Sequence, residues 1–217
     1  MTAAVAHQFA GKLQLNEPMA RYTSWRVGGK ADQLYIPAGL EDLQAFLKNT
    51  DAKQPVYFVG LGSNLLVRDG GVRGTVIIMH NVLTGLKMDG ELVYAEAGVT
   101  CGKLAKFCAK ESKQGAEFFA GIPGTLGGAL AMNAGCYGSE TWNVVHSVTT
   151  INKQGELNQR DAKEFLASYR HVDMPVADEW FIAAWINLKA GDAHESAKKI
   201  KDLLATRLAS QPLHLPS

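Results

Sequence analysis

Cysteine is scarce in this chain. Cys101, Cys108 and Cys136 are the 3 present in 217 residues, and none stands in a Cys-x-x-Cys pair. An odd, unpaired set argues against a disulfide framework and a cysteine-based zinc site, and it fits small buried hydrophobes in a reducing cytoplasm. Charge of one sign is lacking too: 22 Lys and Arg face 21 Asp and Glu, a formal net charge of +1. That gives no electrostatic case for a nucleic-acid or membrane-surface partner. No apolar run approaches the roughly 18 residues that span a bilayer. The opening MTAAVAHQFAGKLQ has no basic segment followed by an apolar one, so no signal peptide is expected. His7, His80, His146, His171, His194 and His214 show no metal-ligand spacing. Asp32, Asp69 and Glu96 are isolated carboxylates, which nothing in the sequence pairs as an acid–base couple.

What is present is an ordinary globular composition, 47% hydrophobic and 20% charged. The chain reads as mixed α and β. Strands are expected at Gln33–Ile36, Leu65–Val67 and Thr75–Met79, and the continuous apolar run Val56–Val59 has the look of a buried strand. Leu40–Asn49 has helical spacing. Asp89-Gly90 signals a hairpin with arms Val82–Met88 and Glu91–Glu96. Thr100 can cap a helix running to about Ser112, and Asp161 with Glu164 resembles a capping box. Strands are expected at Val145–Ile151, Glu156–Asn158 and Trp180–Lys189. A helix Ala193–Leu208 would carry an apolar stripe through Ile200, Leu203, Leu204 and Leu208.

Two glycine-rich stretches carry the chemistry. Gly121–Gly135, GIPGTLGGALAMNAG, holds 5 glycines and no charge. Glycines allow close backbone approach and positive φ, and successive exposed N–H groups then make a nest for a phosphate. A short helix over Gly127–Asn133 would aim its N-terminal dipole at the same anion. The alternative is a tight structural turn. The other stretch, Gly60-Leu61-Gly62-Ser63-Asn64, directly follows Val56–Val59. Leu65 stands where a dinucleotide fingerprint needs its third glycine, and no Gly-Lys-Ser/Thr occurs anywhere, so both standard phosphate motifs fail. A loop with exposed amides and two polar side chains remains, suited to a pyrophosphate; its bland alternative is a hairpin connection.

Thr23–Gly29 (TSWRVGG), GLGSNLLVRD at Gly60–Asp69, GIPGTLGGALAMNAGCYG at Gly121–Gly138 and Ser168-Tyr169-Arg170 resemble, in order and spacing, the UDP-N-acetylenolpyruvoylglucosamine reductase family. The resemblance implies an α+β fold, the two-subdomain FAD-binding fold of the vanillyl-alcohol-oxidase/PCMH type, with subdomains over residues 1–79 and 80–210. It implies an NADPH-consuming oxidoreductase of peptidoglycan precursor synthesis in the cytoplasm, with a UDP-sugar as its small-molecule partner. FAD would be held by Gly60, Leu61, Gly62, Ser63, Asn64 and Leu65 from the first half. Gly121, Ile122, Pro123, Gly124, Thr125, Gly128 and Ala129 would approach it from the second. Asn133, Gly135 and Tyr137 would lie along the flavin, and Ile182 would make a backbone or packing contact. Arg170 would be the catalytic arginine, stabilising charge on the substrate carboxylate; a surface ion pair with Asp173 is its alternative. The family binds FAD non-covalently, so Cys136 is not expected to attach it. Arg207 would face the UDP diphosphate or form a solvated helix end.

The family places its general-acid serine in a Gly-Ser-Val-Phe-like segment beyond a Gln-Pro-Leu…Pro-Ser stretch. Here that stretch is Gln211–Ser217 and the sequence stops there, so residues 211–217 read as the start of a missing substrate-binding domain. The resulting expectation is FAD binding with impaired turnover, or alternatively a non-catalytic FAD-binding module.

Overall fold

The computed structural model describes residues 9–210, so the expectation about residues 211–217 lies outside the described residues. Strand β1 (Lys12–Pro18) is followed by β2 (Lys30–Ile36), helix α1 (Leu40–Lys48), β3 (Val56–Val59) and β4 (Val72–Ile78). These four strands form a sheet in the order β1-β2-β4-β3. β1 is antiparallel to β2, whereas β2 and β3 run parallel to β4. α1 has Glu41 and Asp42 in its first turn and Lys48 in its last, which suits its dipole. It buries Leu43, Phe46 and Leu47, and Phe46 stacks on Tyr35 of β2 at 3.8 Å between ring centroids.

The second half continues with β5 (Leu86–Asp89), β6 (Leu92–Glu96), α2 (Cys101–Lys110), β7 (Lys113–Gln114) and α3 (Leu126–Ala131). Then come β8 (Gly135–Cys136), β9 (Ser139–Glu140), β10 (Val145–Asn152), β11 (Leu157–Asp161), β12 (Leu166–Ser168) and β13 (His171–Asp173). β14 (Glu179–Ile186), β15 (Lys189–Ala190) and α4 (Ala193–Ser210) complete it. The main sheet here has the order β11-β10-β14-β6-β5, and β12-β13, β15-β7 and β8-β9 are small two-stranded pairs. The fold is α+β.

The two sheets share a core. Ile151 of β10 and Ile182 of β14 pack in the same buried cluster as Tyr35, Leu43, Phe46 and Ile77. Ile182 sits where the β10–β14 register slips between Thr149 and Thr150, a bulge that turns its side chain into this cluster. A second cluster, around Leu104, Phe119, Leu126 and Ala184, lies under α2 and α3. Burial there pushes the Cys101 and Cys108 thiols up to about 12, so neither is a thiolate at neutral pH.

Several local expectations hold. Gly90 makes the β5–β6 turn with φ +59. Thr100 Oγ1 accepts from Lys103 N–H at 3.4 Å to cap α2. The Asp161–Glu164 capping box is complete, although it caps a single 3-10 turn. Others need correction. Leu65–Val67 is not a strand: Gly29 N–H bonds the Arg68 carbonyl at 3.1 Å, so this segment packs against the chain at Gly28-Gly29 instead of joining a ladder. β3 is an edge strand with Tyr57 exposed, despite its unbroken apolar run. The apolar stripe of α4 is buried only at Ile200, whereas Leu204 and Leu208 are exposed. What anchors α4 is polar. Buried Glu117 accepts from the Gly115 amide, from Ser196 Oγ at 3.0 Å and from Lys199 Nζ at 3.4 Å.

Candidate cofactor site

β3 delivers the chain into the Gly60–Asn64 loop, and β14 begins beside it. Phe58 and Trp180 stack across this junction at 4.8 Å. Between them opens a cavity of about 170 Å³, walled by Phe58, Val59, Gly60 and Met79 from one half and by Ala97, Thr125, Gly128, Val172, Met174 and Trp180 from the other.

The two glycine stretches face each other here. A side chain at Gly60 would collide with the Thr125 hydroxyl, and the Cβ direction of Gly124 points to Ser63 Oγ at 3.6 Å. Gly62 takes φ +65, and a side chain there would strike the Tyr22 carbonyl. Its own carbonyl accepts from Ser24 N–H at 3.1 Å, which ties the loop to the Thr23–Gly29 segment. Among the described residues, the backbone N–H groups of Leu61, Gly62, Ser63 and Asn64 have no protein acceptor. Adjacent outward amides around an αL glycine are what an anion nest requires.

The Gly121–Gly135 stretch is arranged differently. Leu126 N–H bonds the Val99 carbonyl at 2.8 Å and Gly127 N–H bonds the Ala97 carbonyl at 2.9 Å. α3 is only 6 residues long and Thr125 caps none of its amides with its side chain. The expected helix-terminal dipole is therefore largely consumed within the protein, and the Thr125 hydroxyl, lying between Gly60 and Gly128, is the polar side-chain group this stretch brings to the cavity.

Of the residues singled out from sequence, the structure brings Gly60, Thr125 and Gly128 to the cavity, with Ser63 and Gly124 beside it. Leu65 and Ile122 pack against core clusters, Ala129 is buried, and Pro123 is exposed. The Ile182 side chain points into the shared core while its carbonyl accepts from Ala97 N–H at 2.7 Å. Gly121 is buried against Cys136 and Tyr137, and Gly135 pairs with Glu140 in the β8–β9 hairpin. Tyr137 donates from its hydroxyl to the Leu203 carbonyl at 2.8 Å, and Arg207 Nη1 donates to the Gly121 carbonyl at 2.8 Å. Arg207 thus holds α4 to the second glycine stretch and is not a solvated helix end.

Arg170 lies with Tyr169 at the two-residue tip of the β12–β13 hairpin, exposed, with φ +55 and its guanidinium 5.6 Å from the Tyr169 ring centroid. The alternative ion pair with Asp173 does not form: Asp173 is matched with His171 at 2.9 Å. Asn133, at φ +41 and buried, commits its side chain inward. Its Nδ2 donates to Glu140 at 2.7 Å and to the Ser168 carbonyl at 3.2 Å, and its Oδ1 accepts from Trp142 N–H at 3.2 Å.

Sequence reading missed Glu179, a buried carboxylate on the cavity wall. Arg160 grips it through Nε at 2.7 Å and Nη2 at 2.6 Å, and Thr150 Oγ1 donates at 2.6 Å. The Arg160 guanidinium holds the Glu179 carboxyl below its usual range, against the opposing effect of burial. Only the cross-strand neighbours of β10, β11 and β14 bring this pair together, so no short motif marks it. Among the described residues no group of His, Cys, Asp and Glu is placed to hold a metal, and no helix is long and apolar enough to cross a membrane.

Residues 31–159 match the family described as FAD binding domain. The chain is 53% identical over 217 residues to the UDP-N-acetylenolpyruvoylglucosamine reductase of Alkalilimnicola ehrlichii, using all of this chain and 72% of that protein. It is 50% identical to the enzyme of the same name from Thiobacillus denitrificans, over 95% of this chain and 68% of that one. The crystal structure of UDP-N-acetylenolpyruvylglucosamine reductase from Thermus caldophilus aligns with a TM-score of 0.77 at 25% identity, covering 93% of this chain and 70% of that chain.

Proposed function

This chain belongs to the UDP-N-acetylenolpyruvoylglucosamine reductase family, and on that footing we propose that it holds FAD in the cavity between its sheets and serves the NADPH-dependent reduction of a UDP-N-acetylglucosamine enolpyruvyl ether. The reading places it in the cytoplasm, in peptidoglycan precursor synthesis, with a UDP-sugar as its partner. Residues 1–79 and 80–210 would supply the two sides of the cofactor site.

One observation carries the proposal: two glycine stretches meet at one cavity, and one of them presents four amides with no protein acceptor among the described residues. A pyrophosphate matches that donor set, because unpaired amides favour a doubly charged oxygen cluster over a neutral group. The Leu61–Asn64 amides would hold it, with Ser63 Oγ and the Thr125 hydroxyl as further donors. The enclosed volume takes part of a dinucleotide, and the remainder would run along the exposed loop. When bound, FAD supplies hydride transfer between NADPH and the enolpyruvyl carbon.

The chain's own residues do the rest. Phe58, Met79, Val172 and Trp180 give the cavity an apolar lining that excludes water and strengthens nearby electrostatic interactions. Arg170 holds a permanent charge on an exposed tip, where it would pair bidentately with the substrate carboxylate and stabilise negative charge as the enol ether accepts a hydride. Absorption spectroscopy of the purified chain, with and without added FAD, tests the reading. An oxidised-flavin band that stays with the protein on gel filtration is expected. A colourless chain that takes up no added FAD overturns it.

A further inference from the structure

The β12–β13 hairpin has little holding its tip. Leu166 and Tyr169 are exposed, each strand is 3 residues long, and the pair is a sheet of its own. Phe165 before it and Val172 within it are buried and fix its base. Near the tip, the Ser168 carbonyl accepts from Asn133 Nδ2. Asn133 is itself locked. Glu140 takes the same amide nitrogen, Trp142 N–H reaches its Oδ1, and its αL backbone suits an Asn better than most residues.

We propose that Asn133 is a positioning residue: it binds no cofactor, and with Glu140 it pins the Ser168 carbonyl so that the Tyr169–Arg170 turn is fixed to the end of the second glycine stretch. The inference rests on the role given above to Arg170. Among the described residues Arg170 has no ion pair to define its place, so the backbone beneath it must. The same tether steadies Val172 and Met174, which follow the tip and wall the cavity. An Asn contacting flavin would leave its amide free toward the cavity. Here both amide atoms are already used within the protein.

Asn133→Asp tests this, because it keeps the shape, the αL tolerance and the Oδ1 acceptor while removing the donor to Ser168. Adding Glu140→Gln to the same chain lets the new amide donate to the carboxylate introduced at position 133, restoring that link but not the one to Ser168. Hydrogen–deuterium exchange is followed for the peptide covering residues 166–173, with β10 and β14 as internal reference, alongside thermal stability and FAD affinity. Losing one such hydrogen bond is expected to speed hairpin exchange about tenfold in both variants. FAD affinity should stay within about threefold, because no direct contact is removed. The double variant should recover thermal stability without recovering slow exchange, which a merely structural role would recover together. Hairpin exchange unchanged in both variants, or a tenfold or larger loss of FAD affinity with the hairpin unchanged, overturns the proposal. Failure of the parent chain to bind FAD would instead strike the cofactor reading, and the exchange experiment would still decide the tether.

Discussion

The two glycine stretches look alike in sequence and behave oppositely in the fold. Gly60–Asn64 turns its amides outward, and its glycines are needed because Thr125 and the Tyr22 carbonyl occupy the space a side chain would take. Gly121–Gly135 turns two of its amides, those of Leu126 and Gly127, inward to the Val99 and Ala97 carbonyls, and its glycines let α3 lie close to Ala97 and let Tyr137 lie over Gly121. One stretch uses glycine to offer hydrogen bonds and the other uses it to pack. Glycine content therefore points to the cavity without telling which stretch offers free amides there.

The contrast breaks most readily at Gly62. Gly62→Ala forces a side chain into αL geometry against a backbone carbonyl and should cost about 3 kcal/mol of stability, with a roughly 100-fold loss of FAD affinity by fluorescence titration. Unchanged affinity would mean that the outward amides are not the anion site.

A middling effect is expected at the cavity wall. Glu179→Gln removes a carboxylate hydrogen-bonded to Arg160, which keeps Glu164 as a partner. The cost at neutral pH should be about 2 kcal/mol. Folding lowers the Glu179 pKa below its ordinary 4.5, so its stabilisation is complete above that value and fades as pH falls through the folded value. Melting temperatures of the two proteins should therefore differ at pH 7 and converge in acid; a constant gap across the range would remove Glu179 from the account.

The smallest change belongs to the packing stretch. Gly127→Ala places a methyl 2.9 Å from the Ala97 Cβ. Overpacking outweighs the gain in helix propensity, for a net loss of about 1 kcal/mol in chemical denaturation. FAD affinity should move by no more than about threefold, since the amide there already serves Ala97. An affinity loss matching that of Gly62→Ala would erase the distinction between the stretches.

Local signals carried much of the fold. The αL turn at Gly90, the Thr100 cap and the α1 periodicity each depend on neighbours within a few residues, and each is visible in the chain. What escaped the sequence depends on distant partners. Val56–Val59 is as apolar as a central strand yet ends at a sheet edge, because β4 separates it from β2. The α4 stripe looks core-facing, but Glu117 fixes the helix through Ser196 and Lys199 and leaves Leu204 and Leu208 outside. The site shows the same split. That Gly60, Thr125 and Gly128 line one cavity was foreshadowed by the glycine-rich stretches they lie in, which are short-range patterns. Glu179 and the tether from Asn133 to Ser168 were not, since each needs strands or loops brought together from far along the chain.

The cluster shared by the two sheets bears on how a ligand would be received. Ile151 and Ile182 are packed with Tyr35, Leu43 and Ile77, and Gln44 Nε2 reaches the Gly155 carbonyl at 2.9 Å from one half to the other. Swinging the halves apart would wet that oily seam, so the cavity between them is expected to hold the same shape with and without a ligand. Little ordering entropy should then be lost on association, and the halves are expected to melt as one cooperative body, in a single calorimetric transition.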